Sequence, residues 1–443
     1  MIKIEKIKDR KDIFLFLLLV FSLYLTVVFV LPYNGAPDEA MRYQIPKYIY
    51  EYSSLPRGDA PEILDETWGI SYAFTPINTY IFSALLMKFA GLFGGDALSL
   101  LYAARLVSVF FSMGTVIFCL KIGARLFDGI YQWLFVLTVA LLPEFIYISG
   151  YVNCDSIAVF SVAWIIYALL CGKDKRWDIK SCIFLGCGLG FCALSYYNAY
   201  GMILFGAVYC LFAVVLDKDI EDKLQFILIR TGWAAFSAFL VAGWWFIRNG
   251  FLYDGDIMGM RASSKCAELN AAENFKPSNR ATPSNLGYSL KYVLIDMQWI
   301  KSSMQSFVAA FGYMEHFLEE IYYKIYYCLM GMGLFGNIIA LIPYLRKKKK
   351  INWDKALFYG CMCGVCAFTI ALSVYYSYFN DFQAQGRYCM PMLVPLALLI
   401  TAGVRSIGAC LNEKAASAIA HMICLFMLGL SFYSMFCVLY VKY

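Results

Sequence analysis

Residues 13–32 read IFLFLLLVFSLYLTVVFVLP, a run of apolar side chains without a single charge. About 20 consecutive apolar residues are enough for a helix to cross the hydrocarbon core of a membrane. Runs of this kind recur along the 443 residues, which are 61% hydrophobic and only 15% charged. A soluble domain has roughly 25% charged residues. The sequence therefore predicts an all-α polytopic membrane protein that forms a helical bundle.

The apolar segments lie at about 13–32, 74–94, 98–120, 129–149, 155–171, 181–196, 199–216, 225–247, 323–345, 354–378, 388–407 and 416–440. Cytoplasmic loops are enriched in Lys and Arg. The basic stretches 1–12 and 346–350 share the cytoplasmic side only if one early segment does not cross. Segment Phe74–Gly94 contains Pro76 and Lys88, so we predict that it lies in the outer interface. About eleven transmembrane helices and a cytoplasmic N-terminus follow.

We expect one integral-membrane domain over residues 1–443. It has a first extracytoplasmic loop at 33–97 and a long one at 248–322, both with interfacial helices. Long loops among otherwise short connections are where function is expected. The net charge of +6 is concentrated in short loops, which indicates topology and not nucleic-acid binding. No internal repeat is visible, whereas many transporters are built from repeats.

The first loop places two adjacent carboxylates directly after the first span, in Pro37-Asp38-Glu39. Pro at the first helical position and acids in the first turn also fit a helix start, so both residues have a capping role as the alternative. Carboxylates at the membrane boundary are able to act as a general base or to bind a divalent cation. Asp38 and Glu39 are therefore candidate catalytic residues.

Other candidates stand at the outer ends of later spans. Asp155 opens a span and is a catalytic candidate, with a helix-capping role as the alternative. Arg387 and Tyr388 precede a span. An Arg on the outer side is unusual, because Lys and Arg are enriched in cytoplasmic loops. Its guanidinium is able to donate two parallel hydrogen bonds to one phosphate. Arg248 follows the aromatic pair Trp244-Trp245 and is either a phosphate contact or a snorkelling anchor.

Six short motifs, in order, resemble those of the bacterial members of the GT-C membrane glycosyltransferase superfamily. These include the protein mannosyltransferase-like and aminoarabinose transferase-like enzymes and their uncharacterised bacterial relatives. The motifs are Pro37-Asp38-Glu39, Ala104-Arg105-Leu106-Val107-Ser108, Gly123-Ala124-Arg125-Leu126-Phe127, Asn153-Cys154-Asp155-Ser156, Trp244-Trp245-Phe246-Ile247-Arg248-Asn249 and Gln385-Gly386-Arg387-Tyr388. Each motif alone is weak, but their order is fairly specific and covers most of the chain.

The resemblance implies an inverting transfer of a sugar from a polyprenyl-phosphate donor at the outer face of the cytoplasmic membrane. The acceptor is a lipid, a glycan, a wall polymer or a protein. Asp38 matches the first-loop acid and would be the general base, and Asp155 matches the second-loop acid. Arg387, Arg248 and Tyr388 would bind the lipid phosphate.

One departure from the family concerns metal binding. Where relatives often have His after the acidic pair, this chain has Arg42, which puts a metal site in doubt. If a divalent cation is used, Asp38, Glu39 and Asp155 would hold it. The alternative functions are a transporter or flippase, a polyprenyl-diphosphate glycan polymerase or ligase, and a membrane scaffold that binds a partner through the 248–322 loop.

Overall fold

The computed structural model describes residues 10–217, 220, 222–345 and 350–443. Its α-helices are α1 Arg10–Val30, α2 Glu39–Tyr52, α3 Asn78–Gly91, α4 Ala97–Leu126, α5 Ile130–Ala140, α6 Pro143–Ile148, α7 Asp155–Asp174, α8 Ile179–Ala193, α9 Tyr200–Leu216, α10 Lys223–Leu252, α11 Met260–Asn270, α12 Leu290–Ile295, α13 Trp299–Val308, α14 Glu320–Leu345, α15 Trp353–Phe379, α16 Leu393–Gly408, α17 Glu413–Phe432 and α18 Tyr440–Lys442. A small antiparallel hairpin pairs β1 Ala310–Phe311 with β2 His316–Phe317.

Nine helices within these ranges are long and apolar enough to cross a membrane. Two shorter apolar helices, α5 and α8, bring the apolar helices to the expected eleven. The all-α polytopic prediction is therefore confirmed. The basic residues at 1–9 and 346–349, on which the inside–outside assignment depends, lie outside the described residues, so the sidedness stays a prediction.

The segment Phe74–Gly94 forms the helix α3, which has 14 residues. At 1.5 Å per residue it is about 21 Å long, which is less than the roughly 30 Å of the hydrocarbon core. It packs between α2 and α4, so its partners are the first loop and the second span. However, α5 has 11 residues and α8 has 15, so length alone does not decide whether α3 crosses, and its place in the interface stays a prediction.

Two segments that were predicted as single runs are divided in the structure. Segment 129–149 forms α5 and α6, because Pro143 disfavours a helical residue before it and then starts α6. Segment 388–407 begins with a tight 3₁₀ stretch, Gly386–Met392, before α16. Both interruptions leave short, buried turns at the same end of the bundle as the first loop.

The outer loops pack on one another. Gly69 adopts φ +61°, and a Cβ there would lie 2.2 Å from the backbone nitrogen of Ala271 in the long loop. The backbone N–H of Ala272 also donates to the carbonyl of Thr67 at 3.1 Å. The first loop and the long loop therefore form one layer over the end of the helical bundle.

Candidate active site

Arg105 of α4 fixes the start of the first loop. Its guanidinium has five N–H donors, and all are used. Nε and Nη2 donate to the two oxygens of Glu39, each at 2.7 Å. The others reach three backbone carbonyls at the C-terminal end of α1, those of Val28, Leu31 and Pro32, at 2.7–2.9 Å. Since a helix ends with unsatisfied carbonyls, Arg105 caps α1 and anchors the loop to α4.

Glu39 is fully buried in this anchor. Besides the two bonds from Arg105, its carboxylate accepts the backbone N–H groups of Val152 and Asn34 at 3.2 and 3.1 Å. No oxygen of Glu39 is left facing open space. The arrangement favours a positioning role for Glu39 over the catalytic role that the sequence predicted.

The neighbouring carboxylate of Asp38 points elsewhere. The backbone of Asp38 lies in the left-handed region, with φ 63° and ψ 6°, and its side chain makes no capping hydrogen bond to α2. Its Oδ2 lies 2.6 Å from Nη2 of Arg387 and 3.6 Å from Nη2 of Arg42. The side chain is 27% exposed, so Asp38 keeps contact with the outside while Glu39 does not.

The charge of Asp38 is strongly stabilised. Burial by itself would raise the pKa of this carboxyl, but the guanidinium groups of Arg387 and Arg42 outweigh it and lower the pKa to about 2. Asp38 is therefore ionised at any physiological pH. A carboxylate held in this way is a weak base until one of its cationic partners is drawn off.

Arg387 reaches Asp38 across 349 positions of sequence. Its Nη2 also donates to the hydroxyl of Tyr388 at 3.1 Å, and its Nη1 donates to the carbonyl of Pro37 at 3.3 Å. The preceding Gly386 lies so close to α13 that a Cβ would fall 2.0 Å from the nitrogen of Phe307. The structure thus brings Arg387 and Tyr388 to Asp38, and their binding of a lipid phosphate stays a prediction.

Asp155, the other predicted carboxylate, lies on the far side of Arg42. Its side chain is 1% exposed, and its Oδ2 is 3.6 Å from Nη1 of Arg42. Within the part of the chain that the structure describes, this oxygen has no hydrogen-bond partner. In the first turn of α7, the backbone N–H of Ser156 donates instead to Oδ1 of Asn153 at 3.0 Å. A capping role does not account for Asp155.

Arg248 is directed away from this cluster. Its Nη2 donates to the carbonyl of Pro56 at 2.7 Å, and its guanidinium lies 5.1 Å from the ring centre of Trp245. These contacts join the end of α10 to the first loop. They favour a structural role, as in the anchoring alternative, over the predicted contact with phosphate.

Sequence reasoning missed a buried acid. Glu144 of α6 is 3% exposed, and its Oε2 accepts the backbone N–H of Ala310 in β1 at 2.9 Å. Pro143-Glu144 in an apolar run was the only signal in the sequence, because its partner lies 166 positions away.

The residues do not fit a divalent cation. Two carboxylates, Asp38 and Asp155, face one another, but the guanidinium of Arg42 lies between them. Glu39, the third predicted ligand, forms a buried salt bridge with Arg105. No group of three or more His, Cys, Asp or Glu side chains suited to a metal ion occurs among the described residues.

Solved structures with a similar fold are known. The oligosaccharyltransferase of Archaeoglobus fulgidus in the apo form matches 99% of this chain and 56% of its own, with 12% identity and a TM-score of 0.56. The same protein, AglB, in complex with an inhibitory peptide and a dolichol-phosphate matches 96% of this chain and 54% of its own, with 12% identity and a TM-score of 0.52. ArnT from Cupriavidus metallidurans bound to undecaprenyl phosphate matches 94% of this chain and 70% of its own, with 14% identity and a TM-score of 0.49.

The chain therefore has the fold of the GT-C membrane glycosyltransferases, as the motifs predicted. It spans little more than half the length of the archaeal oligosaccharyltransferase. No curated protein sequence matches it significantly. The chain belongs to the DUF2142 family of predicted membrane proteins, whose family model matches residues 51–397.

Proposed function

We propose that this chain is a membrane glycosyltransferase that moves a sugar from a polyprenyl-phosphate donor to an acceptor at the outer face of the cytoplasmic membrane. The observation that carries the proposal is the ion pair of Asp38 with Arg387, 2.6 Å long, at the end of an apolar bundle. A base next to a cation for the leaving phosphate is what such a transfer needs. The fold supports the same class of reaction, since an oligosaccharyltransferase that shares it was solved with a dolichol-phosphate.

The ion pair suggests how donor binding prepares the base. A lipid phosphate that binds Arg387 competes with Asp38 for the same Nη2 group, which already donates at 2.6 Å. Once the phosphate neutralises this guanidinium, the main cause of the low pKa of Asp38 is lost. The carboxylate then becomes a better proton acceptor when a donor is bound.

In the reaction, Asp38 takes the proton of the acceptor hydroxyl, whose oxygen forms a bond to the anomeric carbon. The bond between that carbon and the phosphate oxygen breaks, and the polyprenyl phosphate leaves with the electron pair. One displacement of this kind inverts the anomeric centre. Arg387 holds the phosphate together with the hydroxyl of Tyr388, to which it already donates at 3.1 Å. A general base contributes about 10²–10⁴-fold to the rate.

The proposal assigns the remaining groups by their contacts. Asp155 lies within the same buried cluster through Arg42, at 3.6 Å, and its free oxygen is suited to accept a hydrogen bond from a sugar hydroxyl. The acceptor is a lipid, a glycan, a wall polymer or a protein. The N-terminus is expected in the cytoplasm and the site outside.

The test is sugar release from labelled polyprenyl-phosphate sugars by the purified protein in detergent or liposomes. Asp38→Asn should abolish release while the protein stays folded, and Arg387→Ala should raise the KM for the donor. Asp59→Asn and Arg405→Ala are matched controls, because each belongs to an exposed ion pair elsewhere. Release that is unchanged in folded Asp38→Asn would refute the assignment. Turnover of a diphosphate-linked donor alone would indicate a polymerase or ligase.

A further inference from the structure

Arg42 occupies the centre of the candidate site. It lies in the first turn of α2, and its side chain is 2% exposed. Nη2 is 3.6 Å from Asp38 and Nη1 is 3.6 Å from Asp155. One guanidinium therefore bridges two carboxylates, one in the first loop and one at the start of α7.

The surroundings hold this cation in place. Nη1 donates to the sulfur of Cys154 at 3.3 Å, and the guanidinium carbon lies 4.8 Å from the ring centre of Tyr72. The backbone N–H of Arg42 donates to the carbonyl of Asp38 at 3.0 Å. A planar cation suits these contacts, since it stacks on an aromatic face and spreads its donors over several acceptors.

The charges balance without an added ion. Asp38 and Asp155 supply two negative charges, and Arg42 and Arg387 supply two positive charges, all within contact distances of 2.6–3.6 Å. A divalent ion bridging the two carboxylates would need oxygen ligands at about 2.0–2.6 Å. It would then stand next to two buried guanidinium groups, which costs free energy through like-charge repulsion.

We infer that Arg42 is the fixed cation of this site, in the place that a divalent ion would take between Asp38 and Asp155, and that sugar transfer needs no divalent ion. The inference rests on the proposed function. Both 3.6 Å contacts are longer than a hydrogen bond, and within the described part of the chain Nε of Arg42 has no hydrogen-bond partner. The guanidinium thus keeps donors for an oxygen of the bound donor, as a metal ion would offer open coordination positions.

The experiment compares the parent protein with Arg42→Ala in two measurements. The first is Mn²⁺ binding to detergent-purified protein by electron paramagnetic resonance. We expect no stoichiometric Mn²⁺ in the parent and about one ion in Arg42→Ala, since removal of the guanidinium leaves two facing carboxylates. The second is sugar release with EDTA or with Mn²⁺. The parent should be equally active in both, and Arg42→Ala should lose about 10²-fold or more in EDTA and regain part of this with Mn²⁺.

Controls separate the possible failures. Arg57→Ala removes an exposed arginine of the same loop that forms an ion pair with Asp59, and it should leave both measurements unchanged. Asp38→Asn added to Arg42→Ala should abolish the new Mn²⁺ binding. If Arg42→Ala does not fold, Arg42→Met removes the same guanidinium without adding a nitrogen or oxygen ligand and takes its place.

Three results would overturn the inference: one Mn²⁺ bound by the parent, loss of parent activity in EDTA with recovery on Mn²⁺ addition, or a folded Arg42 variant that binds no Mn²⁺. The binding measurement does not depend on the reaction. If no variant releases sugar, the proposed function fails, while the Mn²⁺ spectra still decide whether Arg42 holds the place of a metal ion.

Discussion

Replacement of Arg105 by methionine should destabilise the protein by about 3–5 kcal/mol, because it leaves the buried carboxylate of Glu39 without its partner. The value should lie toward the upper end. Three carbonyls at the end of α1 lose their donors in the same change, and each unsatisfied buried group costs about 1–3 kcal/mol. The effects share one side chain, so they do not add in full.

The double variant Arg105→Met with Glu39→Gln tests the mechanism. Glutamine removes the unpaired charge, so the double variant should be more stable than the sum of the two single changes predicts, by at least about 2 kcal/mol. Unfolding in mixed micelles of increasing SDS content, followed by tryptophan fluorescence, measures all four proteins. Arg405→Met is the control, since its pair with Asp128 is half exposed and should contribute less than about 1 kcal/mol.

A loss in Arg105→Met no larger than that in the control would refute the reasoning. A coupling energy near zero would do so as well, because it would mean that Glu39 and Arg105 act independently. Either result would remove the argument that Glu39 positions the loop and does not take part in the reaction.

Three further predictions follow from the outer layer. Glu144→Ala should reduce the stability by about 1–3 kcal/mol, because the buried backbone N–H of Ala310 loses its acceptor. Thermal unfolding scans measure this loss, and an unchanged unfolding temperature would count against the contact. Arg248→Ala should reduce stability by about 1–2 kcal/mol, since the carbonyl of Pro56 loses its donor; a higher donor KM would instead return Arg248 to the phosphate site. Gly69→Ala should separate the two outer loops, because its Cβ would lie 2.2 Å from the long loop. Faster proteolysis of the long loop is expected, and unchanged proteolysis would count against the packing.

Much of the fold was predictable because the length of an apolar run and the positive charge of a loop are both set by residues that are neighbours in the sequence. The runs that become α1, α4 and α7 are visible in the sequence. Lys88 and Pro76 led to the expectation that Phe74–Gly94 lies in the interface, which stays a prediction. Pro143 marks the break inside segment 129–149, but the segment was predicted as a single run. Apolar residues continue on both sides of that proline, so composition alone gives one segment where the backbone forms two.

The site was predictable only in part. Asp38 and Arg387 were found because acids and arginines at the outer ends of spans are conspicuous. Their neighbours depend on contacts between distant parts of the chain, which a sequence pattern does not encode. Glu39 stands next to Asp38 but faces Arg105, 66 positions away, and this separation of two adjacent carboxylates follows from the left-handed backbone at Asp38.

The distance in sequence between Asp38 and Arg387 also sets an order of events during synthesis. At about 5–20 residues per second, a ribosome takes tens of seconds to extend the chain from Asp38 to Arg387, 349 positions later. Throughout that time the nascent chain already holds Asp38 and Arg42 but lacks the guanidinium proposed to grip a lipid phosphate. A polypeptide that lacks Arg387 is therefore expected to lack the proposed transfer activity, since it has no guanidinium at this position to hold the leaving phosphate.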